Sequence, residues 1–109
     1  MVGGEVLDVV FRRHAQARRL VRCLIHVPGD PAHTPRRLLD FLKAEARADL
    51  TRASRRYAGL MGVSFRRITI RDQRSRWGSC SASGDLSYSW RLILAPDYVL
   101  DYVAAHEVA

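Results

Sequence analysis

Val6 to Phe11 reads as a strand, and Leu20 to Val27 as a second one, in which Val21, Cys23, Ile25 and Val27 alternate onto one face. A period of two marks a strand with one covered side. The basic stretch Arg12 to Arg19 would connect the two, and Pro28-Gly29-Asp30-Pro31 then breaks the pattern. A long helix follows. Leu39, Leu42, Ala46, Leu50, Ala53, Tyr57 and Leu60 recur at steps of three and four, which draws one continuous apolar stripe. Thr34 is placed to cap that helix, Pro35 suits its first turn, and Gly62 is its natural stop. The stripe predicts packing on a sheet.

The second half adds strands. Arg66 to Asp72 is predicted extended, with Ile68 and Ile70 facing inward, and Ser81 to Asp85 is small and polar, as a turn would be. Leu86 to Leu94 gives the clearest alternation. Leu86, Tyr88, Trp90, Leu92 and Leu94 fall on one face, and Ser87, Ser89, Arg91 and Ile93 on the other. Pro96 opens a second helix from Asp97 onward, and Asp97 and Asp101 suit its positively polarised start. Val103 to Ala109 carries no glycine, basic turn or proline to end that helix, so the pattern reads as a domain cut within it.

Composition narrows the class. A chain of 109 residues, 48% apolar, is one small folded domain. Lys43 is the only lysine among 18 basic residues, and the net charge is +7. That balance admits nucleic acid as a partner, but the arginines are spread from Arg12 to Arg91, which favours a solvated basic surface. Cys23 and Cys80 are too far apart and too few for a disulfide framework or a thiolate zinc site, and suit a reducing cytoplasm. Met1 to Glu5 does not read as a signal peptide, and no apolar stretch is long enough to cross a membrane. Neither substrate nor oligomeric state is readable.

Candidate chemistry lies at His106-Glu107, the first half of H-E-x-x-H. In that motif two histidines four apart share a helical face and bind one zinc, and the glutamate serves the activated water as general base. His106 shares a face with Val99, Tyr102 and Val103, so it is expected to point toward the core. Taken alone, the dipeptide fits better a histidine packed on an apolar face with an exposed glutamate beside it. Trp77 and Cys80 lie in a loop-like stretch and Trp90 on an apolar strand face, and packing is the preferred role for all three. His14, His26 and His33 have no ligand spacing, and Cys80 has no partner that would make it a nucleophile.

Context strengthens the dipeptide. Ile68 to Ser81, containing Ser75-Arg76-Trp77-Gly78-Ser79-Cys80, then Trp90 to Pro96, then Leu100 to Glu107, together resemble the YgjP-like metallopeptidase family, a bacterial group related to the SprT-like and gluzincin-type zinc peptidases. The resemblance covers residues 31–109, and residues 1–30 fit it poorly. It implies an α+β fold, with a small antiparallel sheet packed on one long helix and a C-terminal active-site helix. It implies Zn2+ as cofactor, His106 as first metal ligand, Glu107 as catalytic general base and a peptide or protein substrate. The second histidine would follow Ala109, so the expectation is a partial domain, inactive by itself. Competing readings are a basic module associated with nucleic acid, and a scaffold whose site is lost.

Overall fold

The computed structural model describes residues 4–12, 20–72, 76–95 and 97–109. Two strands, β1 (Gly4–Arg12) and β2 (Leu20–Pro28), pair antiparallel, with Val9 opposite Cys23 and Leu7 opposite Ile25. Phe11 and Val27 are buried on the inner face and Val9, Cys23 and Ile25 pack behind them, while Val6, Val10 and Leu24 stay exposed. The expected connector at residues 13–19 lies outside the described residues.

After a 3-10 turn at Pro31–His33 comes the 28-residue helix α1 (Thr34–Met61). Its apolar stripe buries Leu42, Ala46, Leu50 and Ala53. Leu60 departs from expectation and is 72% exposed, while Ser54 and Ala58 are buried. A stripe repeating every seven residues falls behind a straight helix by about 20° per repeat, so its far end turns off the covered side. Gly62 ends α1 as expected, at φ 69°, where a side chain would be strained. Thr34 does not cap it. The residue at the cap position is His33, which makes no side-chain capping bond, and the Thr34 hydroxyl is buried with no partner among the described residues. The side-chain cap sits earlier, where Asp30 accepts from the Ala32 amide and closes the 3-10 turn.

Three further strands, β3 (Arg67–Arg71), β4 (Gly78–Cys80) and β5 (Asp85–Ser89), form a second sheet in the order β3-β5-β4. The fold is α+β, as expected, but the strands make two sheets and the second is mixed. β4 runs antiparallel to β5, whereas β3 joins β5 parallel. α1 separates the hairpin from the second sheet in sequence. From α1, Arg47 donates to the Ile68 carbonyl at 3.0 Å.

The strand expected over Leu86 to Leu94 stops at Ser89, and Trp90–Leu94 is a 3-10 segment. The Ser89 side chain accepts from the Arg91 amide at 3.3 Å, a local bond that competes with the ladder and turns the chain. Alternation then fails: Leu92 and Ile93 are both buried and Leu94 is exposed. β4, in turn, occupies part of the stretch expected to be loop. Helix α2 (Asp97–Val108) closes the chain and packs on α1 and β4. Leu50, Leu86, Tyr88, Leu92, Ile93, Leu100 and Ala104 form the centre of the core.

An unpartnered buried hydroxyl costs stability, and a capping one contributes it. Thr34→Val is therefore expected to raise the free energy of unfolding by about 1 kcal/mol in a urea titration. A loss of about 1 kcal/mol instead would restore Thr34 to a capping role.

Candidate active site

The sequence-predicted residues sit on the last turn of α2. Leu100, Val103, Ala104 and Val108 set its buried face. Glu107 lies two turns on from Leu100, which carries it round to that same face. His106, one residue back, falls on the flank with Tyr102, which is 69% exposed. The expected inward-pointing histidine is thus corrected. His106 faces solvent, stacked on the Tyr102 ring at 6.1 Å between centroids and 14° between planes. Glu107 is the half-buried member of the pair. The helical face was read one step too far round, because Tyr102 is aromatic yet exposed.

Glu107 reaches the inner face of the second sheet. An ideal Cβ built at Gly78 would lie 3.3 Å from the Glu107 Cγ, so β4 and the glutamate stem meet with no side chain between them. Gly78 pairs with Tyr88 across the ladder. Tyr88 is fully buried, and its hydroxyl shares a 2.8 Å hydrogen bond with the Ser54 hydroxyl of α1. Burial pushes the Tyr88 phenol up to about 12; the Ser54 bond opposes that, and negative charge at Glu107 and Cys80 adds to it. Glu107 therefore lies close enough to act electrostatically on a hydrogen-bonded phenol, where β4, β5 and α2 meet.

The other singled-out residues divide. Trp77 and Cys80 are both exposed, flanking or ending β4. Trp90 packs partly on the core, yet its indole N–H donates to Asp72 at 3.1 Å, and the Arg91 guanidinium lies 5.0 Å from its ring centroid while also pairing with Asp72. Those bonds from Arg91 and Trp90 hold the Asp72 carboxyl below its ordinary range. A cavity of about 300 Å³ opens beside them, lined among the described residues by Pro35, Leu38, Leu39, Leu42, Asp72, Trp90 and Arg91. Sequence reasoning missed Gly78 and Tyr88 as neighbours of Glu107, and Ser54 as the partner of Tyr88. Gly78 stands in the Ser75 to Cys80 motif and Tyr88 on the strand predicted over Leu86 to Leu94, but their contact with Glu107 is long-range.

Chemically, the site holds a half-buried carboxylate at the edge of the core and an accessible imidazole one residue away. Among the described residues no three histidine, cysteine, aspartate or glutamate side chains converge to hold a metal ion. The donors present amount to a single imidazole ligand with an adjacent carboxylate, short of the three protein ligands of a catalytic zinc site.

Tyr88 makes stability depend on alkaline pH. A phenol raised above its unfolded value near 10 keeps its proton in the folded state while the unfolded chain loses it. Its contribution is complete below about pH 10 and is lost as pH climbs toward about 12. Urea unfolding across that window should show a falling stability that flattens in Tyr88→Phe. An unchanged slope would remove Tyr88 as its source.

The sequence profile of the YgjP-like metallopeptidase domain matches residues 4–109. The match takes in the β1–β2 hairpin as well as both helices. No curated protein and no solved structure matches the chain significantly. With the profile spanning nearly its whole length, the chain belongs to the YgjP-like metallopeptidase-domain family.

Proposed function

We propose that the protein is a zinc-dependent metallopeptidase in which Glu107 is the general base and His106 the first of the metal ligands, acting on peptide or protein substrates in the cytoplasm. The observation that carries this reading is the placement of Glu107. A glutamate on the buried face of a helix, pressed onto a strand, is costly unless its charge is used or paired. Its half-buried position orients the carboxylate, and an adjacent accessible imidazole suits a metal ligand. Zinc held beside it would supply Lewis acidity toward a peptide carbonyl and an attacking water. Glu107 would take the proton from that water and return it to the leaving amine, a role suited to a half-buried carboxylate next to an accessible imidazole. The remaining ligands of the motif are not among the described residues.

The basic charge gives the nucleic-acid reading less support. Arg22 pairs with Asp8, Arg52 with Asp49, Arg66 and Arg67 with Asp85, and Arg91 with Asp72, so several arginines are engaged within the fold. The described residues include no helix long and apolar enough to cross a membrane.

The test uses the protein produced from its gene with whatever residues follow Ala109. Glu107→Gln should keep stoichiometric zinc and lose hydrolysis of an unfolded protein substrate by about 100-fold or more, the usual scale for a general base. His106→Ala should lose the zinc itself, read by metal analysis. Full zinc content in His106→Ala, or unchanged turnover in Glu107→Gln, would sink the assignment of that residue.

A further inference from the structure

Gly78 belongs to a strand of only three residues, yet that strand touches the half-buried Glu107 of α2. A Cβ at position 78 would meet three atoms: Tyr88 Cδ1 at 3.0 Å, the Ser87 carbonyl oxygen at 3.1 Å and Glu107 Cγ at 3.3 Å. All three are closer than ordinary van der Waals contact. Two of them are fixed. Ser87 is a backbone group of the central strand, held between β3 and β4, and the Tyr88 ring is fully buried with its hydroxyl tied to Ser54. The Glu107 stem is half-buried on the last turn of a helix, so it is the neighbour that can give.

We infer that Gly78 is a positioning residue for Glu107: the missing side chain lets the β4 backbone bear directly on the glutamate stem and fixes where its carboxylate sits. The role rests on the peptidase reading above. It assigns the glycine of Trp77-Gly78-Ser79-Cys80 to the placement of the base, and gives a reason for glycine that does not depend on a turn, since Gly78 has an ordinary strand conformation.

In the gene-encoded protein, Gly78→Ala is expected to keep its zinc and its KM for an unfolded protein substrate while kcat falls by about 100-fold, the scale of a catalytic group displaced by about an ångström. A structural role alone would not separate kcat from KM in that way. A second readout needs no activity. Thermal unfolding of the metal-free chain should show that Gly78→Ala lowers Tm less in a Glu107→Ala background than in the parent, because the Glu107 Cγ clash has gone. Should Gly78→Ala fail to fold, the backbone amide of Gly78 in the nitrogen–proton correlation spectrum carries the test. Glu107→Ala should shift it well beyond the amide of Gly59, which has no neighbour within 4 Å of an added Cβ. Additive Tm changes, an unshifted Gly78 amide, or equal loss in kcat and zinc content would overturn the positioning role. An unmutated protein with neither zinc nor hydrolysis would overturn the peptidase reading, and the positioning role with it.

Discussion

The hydrogen bond between Tyr88 and Ser54 is the constraint on which this small fold turns. It joins the central strand of the mixed sheet to the C-terminal part of the long helix inside the core, where water cannot substitute for either partner. A chain of this size buries a limited share of its surface, so a single buried polar pair has leverage over how sheet and helix register. Leu50, Leu86 and Leu100 pack in the same core cluster, and α2 closes it. Because Tyr88 lies opposite Gly78 in the ladder, the bond that fixes the sheet on α1 also fixes the surface on which Glu107 rests.

Electrostatics outside the core act locally. Asp85 gathers Arg66 and Arg67 at the rim of the second sheet, and its carboxyl is held below the ordinary range chiefly by the bond from Arg66. Asp8 and Arg22 face each other across the hairpin and do the same on its open side. Exposed pairs of this kind contribute little stability each. Their effect here is to divide a strongly basic surface into smaller neutral and positive areas.

Much of the architecture was legible because it follows from period and punctuation. The hairpin strands, the long helix with its glycine stop, the inward Ile68 and Ile70 and the start of α2 all emerge from local pattern. What failed has a physical reason in each case. The run Leu86 to Leu94 alternates in sequence, yet the Ser89 hydroxyl bonds the chain into a turn, and a side chain closing on its own backbone leaves no trace in hydrophobic spacing. Thr34 has a capping residue's chemistry but lies one position inside the helix. The parallel pairing of β3 with β5 depends on which strands meet, which periodicity does not encode. For the site, the His-Glu dipeptide was visible and its orientation was not. The helix buries Leu100, Val103 and Ala104, and with that centre fixed the glutamate turns inward and the histidine outward.

The bond from Arg47 to the Ile68 carbonyl has a further bearing on how the protein behaves in a crowded solution. β3 is an outer strand, and an outer strand offers its free carbonyls and amides to any extended chain that drifts alongside. A guanidinium already seated on one of those carbonyls must be dislodged before another chain can zip on, and it would leave a cation facing the newcomer. One arginine of the long helix thus already holds a backbone acceptor of this outer strand, in a molecule whose hairpin shows Val6, Val10 and Leu24 to water.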